Sequence, residues 1–123
     1  MIGLLLMFAT VDYDGLKLEP HEVEIIKLTN EYRVKNGRKP LIASRRLVGT
    51  ARLQSWHMTK RGMSHGFTRG WSAENIAQGQ RSPKEVVNTW IDSSGHRANM
   101  LGNWKYIGVS GYDRSWTQQF SNN

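Results

Sequence analysis

The chain reads as an α+β domain in which helices come first and a β-hairpin comes last. Three observations lead there. Apolar residues recur at helical spacing between Pro20 and Leu101. Helix start and stop signals bracket those stretches. From Tyr106 to Phe120 the residues become strand formers, broken once by Asp113-Arg114-Ser115. With 123 residues the chain has room for one core and not for two.

Met1 to Thr10 is apolar (Ile2, Leu4, Leu5, Leu6, Met7, Phe8, Ala9) but too short to span a bilayer. It has the character of a signal-peptide core, without a preceding basic residue or a following small-x-small cleavage pattern. A truncated start would account for the first gap; the other reading is a segment that packs on the domain. Asp12, Asp14 and Gly15 are turn formers, so residues 11–19 read as a linker. Residues 1–19 are therefore set apart from a domain over 20–123.

Pro20 opens the first helix, expected over 20–36. Acidic residues stand at its start and Arg33 and Lys35 at its end, as the helix dipole favours. Ile25, Leu28 and Tyr32 share a stripe with Ile26 beside it, and Asn36-Gly37 is a stop signal. Lys39-Pro40-Leu41-Ile42 must be extended. Ser44 caps a second helix, expected over 44–61, with Leu47, Ala51, Gln54 or Ser55, and Met58 on its inner face. His57 falls one step off that stripe and reads as exposed and without function. Residues 63–73 read as loop. Ser82-Pro83-Lys84-Glu85 is an N-cap, a proline at the first helical position and a capping-box glutamate, which predicts a third helix over 83–92. Ser94-Gly95 breaks it, and a short helical turn runs from His96 to Leu101. Trp90, Ile91, Leu47 and Ile107 are expected to be buried, and the last two strands to pair antiparallel around Asp113-Arg114-Ser115.

The chain has no cysteine, which excludes disulfides, thiolate zinc sites and thiol nucleophiles. Its formal net charge is +7, unevenly spread. No acidic residue occurs between Glu31 and Glu74, whereas Arg33, Lys35, Arg38, Lys39, Arg45, Arg46, Arg52, Lys60, Arg61 and Arg69 all lie there. This region reads either as a solvated helix surface or as a basic face for an anionic polymer or surface. No zinc finger, helix-turn-helix or aromatic-interleaved motif points to nucleic acid. Neither a P-loop nor a dinucleotide glycine pattern is present.

Two histidines and one glutamate, His65, Glu74 and His96, sit in Gly- and Ser-flanked segments taken here as breaks between elements. Breaks of this kind carry binding and catalytic groups. Two imidazoles and a carboxylate can hold a divalent transition metal or serve acid–base chemistry. Each also has a plainer reading: His65 as a loop residue, Glu74 as an acceptor of backbone hydrogen bonds, and His96 as a partner of a buried backbone group with Arg97 paired to a carboxylate.

The order of motifs resembles the CAP superfamily, or SCP-like domain, in its cysteine-free bacterial form. The carrying residues are Leu28-Thr29-Asn30-Glu31-Tyr32-Arg33, Ser64-His65, Glu74-Asn75-Ile76-Ala77, Trp90, Ser94-Gly95-His96-Arg97-x-Asn99-Met100-Leu101, Gly108-Val109 and Trp116-Thr117-Gln118-Gln119-Phe120. The resemblance implies a three-layer α-β-α sandwich. It also implies a cleft with two histidines and two acidic residues that binds a divalent metal such as zinc in some members. His65, Glu74 and His96 carry over as that metal set and as the catalytic candidates. The fourth position falls at Ser93, and Asp92 is displaced by about 100° around a helix.

Three functions follow as expectations. The first is a secreted or cell-envelope binding module, monomeric and without a transmembrane segment, that takes an extracellular ligand at the cleft. The second is a metal-assisted hydrolase with Glu74 as ligand or base, or a metal-free form with Ser64 or Ser94 as nucleophile. The third is attachment to an anionic polymer or surface through the basic region.

Overall fold

The computed structural model describes residues 9–66 and 72–123. The signal-like apolar run, residues 1–8, lies outside that range, as do residues 67–71. In chain order the elements are β1 (Val11–Tyr13), β2 (Leu16–Leu18), α1 (Pro20–Lys35), β3 (Ile42–Ala43), α2 (Arg45–Arg61), β4 (Ser72–Gln78), α3 (Pro83–Ile91), α4 (Ser94–Met100), β5 (Tyr106–Tyr112) and β6 (Ser115–Ser121). Four strands form one sheet in the order β3-β5-β6-β4, with β3 parallel to β5 and the other pairs antiparallel. β6 is central, and β4 forms an edge.

Several boundaries follow directly from the caps. The Ser44 hydroxyl accepts the Leu47 N–H at 3.2 Å to start α2, and Gly62 ends it at φ +90°. The Ser82 hydroxyl accepts the Glu85 N–H at 3.1 Å to start α3. At the start of α1, the Glu22 carboxylate reaches back to the Glu19 N–H at 2.9 Å.

Local readings are corrected at five places. Residues 11–19 are not only a linker: β1 and β2 form a hairpin whose turn residues Asp14 and Gly15 both have positive φ, with Tyr13 opposite Leu16. The final hairpin turns on two residues rather than three. Asp113 and Arg114 have φ +48° and +60°, and Ser115 already pairs with Tyr112. Ser94-Gly95 does not break a helix but opens α4; the break is at Asp92–Ser93. Glu74 lies within β4 and His96 within α4, so neither is in a break. Ile91 and His57 are half-buried, since each lies at the margin of its helix's inner face.

The strand alternation explains how the layers assemble. Ile107, Val109, Trp116 and Phe120 join Ile25 and Ile26 of α1, Val86, Val87 and Trp90 of α3, and Met100 of α4 in one apolar core. The other face of the sheet is buried as well, although it is polar. Ser115, Thr117 and Gln119 are covered by α2 and matched by its hydroxyls: Thr59 to Ser115 at 3.1 Å, Ser55 to Thr117 at 2.8 Å, and Thr50 to Gln119 at 2.5 Å. All seven residues of β6 are therefore buried. The result is an α-β-α sandwich with a largely apolar layer on one side and a hydroxyl-rich, hydrogen-bonded layer on the other.

Gly108 makes the second layer possible. A Cβ there would fall on the main chain of Leu47, so α2 lies directly against the backbone of β5. Trp90 anchors the opposite side. It is fully buried, and its indole N–H donates to the Ile76 carbonyl at 3.2 Å. Trp90→Ala is expected to cost about 3–5 kcal/mol through lost core volume, whereas His57→Ala leaves stability almost unchanged. Thermal melts of the two variants check this, and equal shifts would contradict it.

Candidate functional site

Glu74 sits on the α2-facing side of β4, directly opposite Gln119 of β6. Its carboxylate is buried and held by three donors. Oε1 accepts from His65 Nδ1 at 3.0 Å and from the Gly66 N–H at 2.6 Å, and Oε2 accepts from Gln119 Nε2 at 2.7 Å. The Gln119 amide is itself oriented, because its oxygen accepts the Thr50 hydroxyl. The chain of bonds therefore has one direction, from the Thr50 O–H through Gln119 to the carboxylate. An ionised carboxylate only accepts, so His65 must carry its proton on Nδ1. Its other nitrogen, Nε2, is left available on an imidazole whose side chain is 59% exposed.

Gly66 is part of this geometry. A Cβ on Gly66 would meet Gln54 Oε1 at 2.6 Å and Glu74 Oε2 at 3.0 Å. A side chain here would have to displace the end of the Gln54 side chain, so glycine suits the close approach of the loop backbone to the carboxylate. Gln54 holds the same loop by donating to the Ser64 carbonyl at 2.6 Å.

His96 reaches the same sheet edge from the opposite layer. Asn75, one residue after Glu74 and so on the other face of β4, donates from Nδ2 to the His96 carbonyl at 3.0 Å and to Gln118 Oε1 at 2.9 Å. Asn99 Nδ2 donates to Asn75 Oδ1 at 2.9 Å, and Gln118 Nε2 donates to the Thr29 hydroxyl at 2.8 Å. Arg33 fixes the far end of α4. Its buried guanidinium donates to the carbonyls of Met100 at 2.7 Å, Gly102 at 2.8 Å and Lys39 at 2.9 Å. Burial, and then the nearby charge of Arg38, lower the Arg33 pKa. Arg97 donates to the Ile91 carbonyl at 2.8 Å rather than to a carboxylate.

The His96 ring has a buried Nδ1 without a hydrogen-bond partner. Its pKa is lowered from the ordinary histidine value, first by burial and then by the charge of His65. His65 and His96 thus share one edge of the sheet within reach of each other's field, and His96 is neutral at neutral pH.

A different trio has its ligand atoms all within 4.8 Å of one another among the described residues: Glu19, His21 and Glu22 at the start of α1. Sequence reasoning missed this grouping, although the acidic start of the helix was visible. Its chemistry is that of a helix cap. Glu22 is buried, and both of its oxygens are held by Arg52, at 2.7 and 2.9 Å, with the Glu19 N–H adding a third bond. A divalent cation there would have to compete with a bidentate guanidinium. His21 packs edge-on against Trp116, with ring centroids 6.1 Å apart.

The His96 environment has a measurable consequence. The unfolded chain takes up a proton at this residue near pH 6.5, whereas the folded chain resists until the pH is lower. Unfolding therefore takes up a proton in that window, and His96's contribution to stability is lost as pH falls below about 6.5. Denaturant melts of wild type and His96→Gln across this range are expected to show a shallower acid-side loss in the variant. Identical slopes would contradict the assignment.

The profile of the cysteine-rich secretory protein family, CAP, matches residues 26–120. The uncharacterized protein YkwD of Bacillus subtilis (strain 168) is 38% identical over 120 residues, an alignment that spans 81% of this chain and 46% of YkwD. This chain therefore spans less than half of that relative. The crystal structure of an extracellular protein containing an SCP domain from Bacillus anthracis superposes with a TM-score of 0.77 at 24% identity, over 84% of this chain and 40% of the other. An outer surface protein from Borrelia burgdorferi superposes with a TM-score of 0.70 at 18% identity, over 80% of this chain and 90% of that one. Both likenesses concern the fold, which they share with the α-β-α arrangement described above. The chain belongs to the CAP (cysteine-rich secretory protein) family.

Proposed function

We propose that this CAP domain is an extracellular binding module whose cleft takes a divalent transition metal, or a ligand held through one, on His65 and His96. The observation that carries this reading is the hydrogen bond that ties His65 Nδ1 to the buried carboxylate of Glu74. Three donors hold its two oxygens, so the carboxylate is already engaged in orienting the loop and the His65 ring. In this reading it is the carboxylate partner of a histidine ligand, whose tautomer and ring orientation it fixes.

The remaining donors suit such an ion. His65 is tied to Glu74 through Nδ1, which leaves Nε2 for an ion, and the buried Nδ1 of His96 lacks a hydrogen-bond partner. The lowered pKa of His96 keeps its imidazole in the neutral, ligating form. A zinc ion held by two imidazoles would supply a Lewis-acidic anchor with open positions for an anionic or carbonyl-bearing ligand. Glu74, Gln119 and Thr50 hold one imidazole from the α2 layer, while Asn75 and Asn99 hold the helix carrying the other. The same carboxylate–imidazole pair would orient a base in a hydrolase, which keeps peptide and ester turnover as the second reading. The extracellular setting is supported by the similar structures, an extracellular protein of Bacillus anthracis and an outer surface protein of Borrelia burgdorferi.

Calorimetric titration with zinc tests the proposal. Wild type is expected to bind one ion per chain, with affinity falling as pH drops below about 6.5. His65→Ala and His96→Ala should each abolish binding. Glu74→Gln should weaken it by roughly 10–100-fold, and His21→Ala should leave it unchanged. Equal binding by wild type and both cleft variants would reject the site, and loss in His21→Ala would move it to the start of α1. Zinc-dependent turnover of a peptide or ester, lost in the same two variants, would favour the hydrolase.

A further inference from the structure

We infer that the outer face of α2 is a docking surface for an anionic phospholipid membrane. Among the described residues, the cations between Glu31 and Glu74 do not form one face. Arg33 is buried on carbonyls and Arg52 is paired with Glu22. What concentrates on the surface is one helix. α2 buries Leu47, Val48, Ala51, Ser55 and Met58 against the sheet. The opposite side presents Arg45, Gly49, Leu53, Trp56 and Lys60 at successive three- and four-residue steps, all of them exposed. Leu53 is 66% exposed and Trp56 47%, and Met63, just past the helix end, is 59% exposed. Lys60 Nζ lies 5.9 Å from the centre of the Trp56 ring.

Charge complementarity names the partner. α2 carries Arg45, Arg46, Arg52, Lys60 and Arg61 and no acidic residue, and the sequence offers none from Arg33 to Ala73. With Arg52 paired to Glu22, the charges that this helix itself offers to an approaching surface are Arg45, Arg46, Lys60 and Arg61, all positive. A soluble polyanion would need the cations alone and would gain nothing from an exposed leucine and tryptophan between them. A bilayer surface uses both, since headgroups pair with the cations while Leu53 and Trp56 enter the boundary region. Gly49 leaves that stripe flat. α2 stays docked on the sheet through Gly108, so the whole domain would lie on the membrane rather than insert a helix. Among the described residues no helix is long and apolar enough to cross a membrane, which agrees with peripheral attachment.

The test is co-sedimentation of the full chain with vesicles of phosphatidylcholine alone and of phosphatidylcholine mixed with phosphatidylglycerol. The chain is expected to partition onto the anionic vesicles only, and to be released by salt. Each basic side chain near such a surface changes partitioning by about fivefold, so Lys60→Glu should lower it by at least that factor. Leu53→Ser combined with Trp56→Ser should lower it too. Lys84→Glu on α3 has the same effect on net charge and should leave partitioning unchanged. All these positions are exposed, and circular dichroism verifies that the variants are folded. No binding to anionic vesicles overturns the inference. So does an equal loss in Lys84→Glu, which would mean a net-charge effect. Partitioning that is insensitive to the Leu53/Trp56 pair and is competed away by polyphosphate would also overturn it, in favour of a soluble polyanion.

Discussion

Two neighbouring glutamines on the central strand, Gln118 and Gln119, connect the two halves of this structure. Adjacent residues of a strand point to opposite faces. Gln119 turns towards α2, where it meets Thr50 and Glu74 and, through Glu74, His65. Gln118 turns towards α1 and α4, where it meets Thr29 and Asn75 and, through Asn75, the backbone of His96. The two histidines arise from different layers and are more than thirty positions apart in sequence order, from 65 to 96. They share a sheet edge because one dipeptide of β6 addresses both. Edge strand β4 repeats the device, with Glu74 facing one layer and Asn75 the other.

Burying this many polar groups is costly unless each finds a partner. The α2-facing side of the sheet meets that demand with hydroxyl pairs, and the α4 side meets it with amides. Arg33 is the extreme case, a buried cation held by three carbonyls and no carboxylate. Two of those carbonyls lie at and just past the C-terminal end of α4, where the helix dipole favours positive charge. This contact joins the last turn of α1 to the helix that carries His96. A core of aliphatic residues could stabilise the fold as well, but it would not hold two imidazoles in fixed orientation. His96 Nδ1 stands out because its neighbours are so well satisfied.

Much of the fold was legible in the sequence. The caps at Ser44 and Ser82, the stop at Asn36-Gly37 and the paired strands at 106–120 are local signals, and local signals survive folding. The motif order added the family. The polar side of β6 was not legible, because Ser115, Thr117 and Gln119 alternate with apolar residues as a half-exposed strand would. Nothing in that pattern says that α2 covers them. Glu74 was misplaced for the same reason, since the strand holding it reads Ser-Ala-Glu-Asn-Ile-Ala-Gln and lacks the usual strand formers. β4 is a strand because β6 pairs with all seven of its residues. Arg33 and Arg52 were counted as surface charge; only tertiary structure distinguishes a buried cation from a solvated one. The glycines at 66 and 108 gave no signal either, because their role is to let another chain segment approach.

The central claim is that Glu74, held by three donors, fixes His65 as the Nδ1–H tautomer and leaves Nε2 unprotonated. Long-range proton–nitrogen NMR correlations of the metal-free protein at neutral pH test it most directly. The account predicts that the proton of neutral His65 resides on Nδ1 in wild type. It also predicts a shift towards the Nε2–H form, the usual preference of a free imidazole, in Gln119→Leu, where Glu74 loses a donor and its hold on the ring loosens. A wild-type spectrum with His65 as the Nε2–H tautomer would contradict the account.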